Sequence, residues 1–324
     1  MEINHNTMFT EFCRLELSTG GPDPQVEIIA QAGQGEQEKG WLAGCFIGPY
    51  TVGAAAALNA GTTRAKVLQD PAGLTTWIGR NWAGLPIRRE RRAVWKIEKL
   101  SECLHSYAVW SEYTLPGLIY ASFDTVWDSL DKEVRYVGRY ASMKLIEVLY
   151  RQNLLQNARQ DSIVPDGAWS PRKTLGLLHP EDVAEFPGLL TGNSVATLQR
   201  VNEVANTRRL TLNKDLNTTV SFFDYETMLC NYRQALKGKY PGRSHDRELA
   251  YYIKAFSVSS QRDDSFPFAK IRRERFNNHC LGELNGWGGA RKELETIFDD
   301  HGYFWCDTVF DYKNTADFAN PVRW

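Results

Sequence analysis

Apolar positions recur along this chain at three- and four-residue steps, the spacing of a helix face. Nowhere do they alternate convincingly with the two-residue period of a half-buried strand. The clearest stretch is Tyr136 to Arg151, YVGRYASMKLIEVLYR, in which Ala141, Leu145, Val148 and Leu149 share one face. Lys144, Glu147 and Arg151 repeat at the same steps on another face, where acid and base support each other. The pattern predicts a core helix with a solvated ion-pair stripe. Gly138 and Arg139 stand at its head; the glycine permits close backbone approach and the arginine suits bidentate contact with a phosphate.

The rest of the chain reads the same way. A short amphipathic stretch, Phe9 to Leu17, breaks at GGPDP, because Gly20, Gly21, Pro22 and Pro24 cannot share a helix interior. Trp41 to Ala60, WLAGCFIGPYTVGAAAALNA, is apolar nearly throughout and predicts a buried helix kinked or split at Pro49. Helical patterns follow at Leu100 to Trp110 and Thr125 to Tyr136, around a Pro116–Gly117 break, and again at Val195 to Val204 and Tyr225 to Leu236. Residues 157–195 carry Pro165, Gly167, Pro171, Gly176, Pro180, Pro187, Gly188 and Gly192 without a clear period. They are expected to form a long irregular excursion, a lid or a substrate-shaping segment. The expected fold class is all-α, in one domain spanning residues 1–324.

Composition narrows the picture. At 324 residues and 43% hydrophobic, the chain has ample material for a core. It contains no run of about 18 apolar residues, so no membrane span is expected. MEINHNTMFTEF lacks the basic and apolar regions of a secretory leader. Cys13, Cys45, Cys103, Cys230, Cys280 and Cys306 are scattered and form no CxxC pair, which points away from zinc and disulfide frameworks and toward a reduced, cytoplasmic setting. Net charge is −1, so anion binding has to come from local clusters.

Two such clusters exist. Between residues 74 and 100, Trp77, Trp82 and Trp95 interleave with Arg80, Arg88, Arg89, Arg91, Arg92 and Lys96. Cations bind phosphate and rings stack on bases, so this mixture suits nucleic acid; the plain alternative is a basic helix with inward tryptophans. IRRERF, with Arg272 and Arg273, is the second. No G-x-S-x-G, P-loop, HExxH or dinucleotide fingerprint is present. Titratable residues instead crowd into 224–247, with Asp224, Glu226, Lys237, Lys239, Arg243, His245, Asp246 and Arg247. Glu226 and Cys230, four apart, share a helix face there. Carboxylates beside cations suit a general base next to a departing anion, or a metal; a solvated loop with surface ion pairs is the plain alternative.

An ordered set of blocks resembles the phage amino acid:DNA transferases, the α-glutamyl/putrescinyl-thymine pyrophosphorylases. FTEFCRLELSTGGPDPQVEII carries Arg14, Thr19, Gly20 and Asp23–Pro24 at matching places, and WLAGCFIGPYTVGAAAAL carries Trp41, Tyr50 and Gly53. YVGRYASMK supplies Gly138, Arg139 and Lys144. YETMLCNYRQALKGKYPGRSHDREL supplies Glu226, Thr227, Leu229, Cys230, Lys237, Gly238, Tyr240, Arg243 and Asp246, and GELNGW closes the set with Gly282 and Glu283. Asn231 departs from the pattern, standing where an aspartate is expected, and Gly21–Pro22 interrupts the first block. Within the second block, IGPYTVGAAAAL is also similar to the glycine hairpin of helix-hairpin-helix DNA glycosylases.

The resemblance implies a helical, DNA-glycosylase-like fold acting on double-stranded phage DNA in the host cytoplasm. The implied reaction replaces the diphosphate of pyrophosphorylated 5-hydroxymethyluracil by the amine of an amino acid or polyamine. The alternatives are a DNA glycosylase and a non-catalytic module binding modified DNA. Arg139, Lys144 and Arg243 are the expected cations at the leaving group, with Mg²⁺ an open alternative aid. Glu226 and Asp246, then His245, are the expected bases, and Tyr50, Lys237, Cys230 and Arg243 are expected to hold substrate. Arg88, Arg89, Arg91, Arg92, Arg272 and Arg273 are expected on DNA phosphates.

Overall fold

A computed structural model of the chain describes residues 5–18, 22–32, 35–82, 85, 87, 89–163 and 169–235. These residues form fourteen α-helices and, among them, no strand. In chain order they are α1 (His5–Ser18), α2 (Pro24–Gln31), α3 (Glu36–Ile47), α4 (Val52–Gly61), α5 (Arg64–Gln69), α6 (Pro71–Asn81) and α7 (Ile97–Tyr113). There follow α8 (Phe123–Glu133), α9 (Arg139–Arg151), α10 (Trp169–Leu178), α11 (Pro180–Glu185), α12 (Gly188–Thr191), α13 (Val195–Leu216) and α14 (Phe222–Ala235). The all-α expectation holds. No helix among the described residues is long and apolar enough to cross a membrane. The described residues divide into two compact units, one of residues 25–159 and one that joins the segment up to 24 with 160–235.

In the unit of residues 25–159, α3 packs on α4, α7 and α9, and α6 lies on α7. The split at Pro49 is real: α3 ends at Ile47, and α4 starts at Val52 after Thr51, whose hydroxyl caps it by accepting the Ala54 N–H at 3.1 Å. From Gly40 to Ile47 every residue of α3 is buried. Gly44 has a packing reason, because an added Cβ would fall within the ring of buried Tyr107, whose hydroxyl donates to the Gly40 carbonyl at 2.6 Å. Threonine, aspartate and serine start the neighbouring helices as N-caps: Thr63, Asp70 and Ser122 each accept a backbone N–H three residues on.

Helix α9 corrects one expectation. Its apolar face is buried as read, yet so is the polar stripe: Lys144 is 2% exposed and Glu147 1%. Every residue from Ala141 to Leu149 is buried, so no side of the helix is left for water. The charges survive burial by pairing, as buried ions must. Lys144 Nζ donates to Glu147 Oε2 at 2.8 Å, Arg151 donates to Glu147 Oε1 at 3.0–3.1 Å, and Arg151 also pairs with Glu27.

In the second unit, α10 packs on α14, α12 and α11, and α1 on α10, α13 and α14. Phe9 and Phe12 of α1 meet Tyr232 edge to face, with centroids 5.2 and 5.6 Å apart. Residues 157–195 were expected to be irregular; their described part contains α10, α11 and α12. The prolines mark helix starts there: Pro171 lies in the first turn of α10, Pro180 is at N1 of α11, and Pro187 caps α12. Fully buried Arg172 fastens the segment by donating to the carbonyls of Leu189, Gly192 and Gly188 at 2.7–2.9 Å.

Candidate functional site

A polar cluster in the second unit forms where α1 and the segment just before α2 meet α14. Glu16 (3% exposed), Asp23 (5%) and Glu226 (7%) are all buried carboxylates. Glu226 accepts from Cys230 Sγ at 3.4 Å, one turn along α14, and from Thr227 Oγ1 at 3.4 Å. The shared face expected of Glu226 and Cys230 is therefore present. Next to them Asn231 Nδ2 donates to Glu16 Oε2 at 3.2 Å and to the Pro22 carbonyl at 3.0 Å. These bonds join segments more than 200 residues apart in sequence. They also explain the asparagine, since a carboxylate at 231 could donate to neither acceptor. Burial, then the nearby Glu16 charge, pushes the Cys13 thiol well above its usual value.

Glu16 was missed in the sequence although its signal was there. Phe9, Phe12, Cys13 and Glu16 fall at steps of three, one and three, so the acid lies in the buried stripe of α1. An acid in such a stripe needs a partner, and Asn231 supplies one. Arg14, by contrast, is exposed and pairs with Glu11.

The remaining described candidates lie in the unit of residues 25–159. Tyr50 is fully buried at φ 57°, in the left-handed region, at the corner between α3 and α4. Its hydroxyl lies 2.9 Å from that of Tyr140, which is 39% exposed and follows exposed Arg139 at the start of α9. The 48–51 corner is buried throughout, and the first N–H groups of α4 are taken: Val52 donates to Gln25 Oε1 and Ala54 to Thr51. The corner thus does not offer these two donors to a ligand. Lys144 is committed to Glu147 inside the unit.

The basic-aromatic stretch splits into an inner and an outer part. Residues 89–94 form short 3₁₀ turns joined at a kink, with non-helical backbone at Arg91. Val94 is core, and Arg91, at the kink, also turns inward: 3% exposed, it donates from Nε to the Gly48 carbonyl at 3.0 Å. Burial lowers its guanidinium pKa, with Cys103 opposing. Arg91 is thus a structural cation, which corrects its expected phosphate role. Trp77 is likewise buried. Arg92 and Lys96 are exposed, Trp95 is 48% exposed, and Lys99 Nζ sits 5.5 Å from the Tyr136 ring centre.

Lys237, Arg243, His245, Asp246, Arg272, Arg273 and Arg88 lie outside the described residues, as does the side chain of Arg89. The described candidates fall in separate units: Glu226 and Cys230 in one, Tyr50, Arg139, Lys144, Arg91 and Arg92 in the other.

His179, Glu181 and Asp182 bring ligand atoms within 4.8 Å of one another. Arg208 already answers those carboxylates, bonding Asp182 at 2.8 and 2.9 Å and Glu181 at 2.7 Å. Burial, then Arg208, lowers the His179 pKa. Comparison with family models, curated proteins and solved structures finds no match to this chain.

Proposed function

We propose that the protein is a DNA-base-modifying transferase, which replaces the diphosphate of pyrophosphorylated 5-hydroxymethyluracil by an amine. The observation that carries this reading is the meeting of two blocks of the resemblance. Glu16 and Pro22, from the N-terminal block, bond to Asn231 on the helix that bears Glu226 and Cys230. Exposed Arg92, Trp95 and Lys96 add a surface of the kind that holds phosphates and stacks on bases.

In this reading the C–O bond to diphosphate breaks, the leaving group keeps the electron pair, and the amine nitrogen bonds to the methylene carbon. An amine is mostly protonated near neutral pH and attacks only as the free base. A carboxylate has to take the proton, and Glu226, in the longest block of the resemblance, is the residue assigned to it. Cations at the leaving oxygens favour the transition state as charge builds there. Lys144 is withdrawn from that role by its bond to Glu147.

Glu226→Gln keeps the shape and removes the base. The expected result is normal folding and DNA binding with turnover lowered at least ~100-fold. Near-normal turnover assigns Glu226 a structural part only.

A further inference from the structure

Four cations stand around the first turn of α7. Arg92, in the turns that precede the helix, and Lys96, its N-cap residue, are exposed, and Lys99 is half-buried in the first turn itself. Exposed Arg80 lies in the last turn of α6, beside the same place: a Cβ on neighbouring Gly79 would come 4.0 Å from Ile97 Cδ1. Among the described residues none of these four side chains forms an ion pair. Glu98 is the exposed acid among them. Glu102, one turn on, is already taken by Arg135 at 3.2 Å and by the Tyr136 hydroxyl at 3.1 Å. The region is therefore positive on a chain whose overall charge is −1. It also carries rings. Trp95 is 48% exposed between Arg92 and Lys96, and the Tyr136 ring centre lies 5.5 Å from Lys99 Nζ.

Cations alone meet the phosphates of any nucleic acid, paired or unpaired. The ring makes the distinction. In a duplex each base face is covered by its neighbours and only the edges are offered in the grooves, whereas an unpaired base has a face to stack on an aromatic side chain. We infer that this surface binds an unpaired DNA strand in preference to duplex, with Trp95 stacking on a base and Arg80, Arg92, Lys96 and Lys99 meeting its phosphates. The inference rests on the transferase reading only in taking DNA as the polymer, and binding here needs no turnover.

The test is fluorescence anisotropy of a short labelled oligonucleotide, single-stranded and as its duplex, titrated with the full chain over a range of salt, with polyglutamate as a competitor. The single strand should bind more tightly, with log K falling against log salt at a slope of roughly −3 for four phosphate contacts. Trp95→Ala should weaken single-strand binding about tenfold, the scale of one lost stacked base, while leaving the salt slope and the duplex affinity as they were. Trp95→Phe, which keeps a ring, should restore most of the loss. Arg80→Ala with Lys99→Ala should flatten the slope for both forms. Duplex bound as tightly as the single strand overturns the inference. So does a Trp95→Ala variant that weakens both forms alike, or polyglutamate that competes as well as unlabelled oligonucleotide. Single-strand preference without turnover leaves the surface standing and counts against the transferase reading alone; turnover without that preference does the reverse.

Discussion

Asn231→Asp is the sharpest probe of the cluster at α1 and α14. The change is nearly isosteric, yet it replaces the donor that serves Glu16 Oε2 and the Pro22 carbonyl by an acceptor. Leaving a buried acceptor unmatched costs roughly 1–3 kcal/mol. The new carboxylate would also stand about 3 Å from that of Glu16, where two like charges repel by roughly 5 kcal/mol at an effective dielectric of about 20. The pair can limit this second cost by taking up a proton, so the expected loss at pH 7 is about 3–5 kcal/mol. The sign of the pH dependence follows. A carboxyl held in such a pair has its folded pKa raised, so the folded state binds more protons than the unfolded one. The deficit is then greatest above the raised pKa and shrinks as pH falls toward the ordinary carboxyl range near about 4. Asn231→Ala loses the hydrogen bonds without adding charge, and its deficit should change little with pH. Urea denaturation of both variants and the wild type at pH 7 and pH 5 measures this. Equal deficits for the two variants at both values would refute the reasoning.

Lys144→Met leaves buried Glu147 paired with Arg151 and short of one cation, and should cost about 3 kcal/mol in denaturant unfolding; adding Glu147→Leu should recover much of that loss. His179 has a lowered folded pKa, so its contribution to stability is intact above the ordinary imidazole value near about 6.5 and is lost as pH falls from there through the folded pKa. His179→Gln should flatten the stability profile in that window, read by thermal melts across pH 5 to 8. The double change Arg92→Ala with Lys96→Ala should reduce the slope of log K against log salt for duplex DNA by about 2, one phosphate contact each. Arg91→Ala should instead lower the melting temperature, because it leaves the Gly48 carbonyl unserved.

The periodicity made the helices legible, down to the break at Pro49, because α3, α4 and α9 are held by strong apolar patterns. It did not say that α9 is enclosed on every side. A stripe of Lys144, Glu147 and Arg151 looks identical in sequence whether it faces water or a buried partner, and only the packing of α3 and α8 on α9 decides. The prolines of 157–195 were read as disorder of pattern; short helices with proline at their starts have too few turns to show a period. Arg91 turns inward at a backbone kink, onto the Gly48 carbonyl 43 residues away, a contact that a basic run does not announce. The bonds from Asn231 to Glu16 and Pro22 span more than 200 residues, beyond the reach of any local spacing.

The central claim is tested most directly by incubating the full chain with duplex DNA containing pyrophosphorylated 5-hydroxymethyluracil and a pool of amino acids and polyamines, then digesting the DNA for nucleoside mass analysis. The account predicts released diphosphate and a thymine-derived nucleoside carrying the amine on its methylene carbon. Abasic sites without an adduct, or substrate returned unchanged, would contradict it.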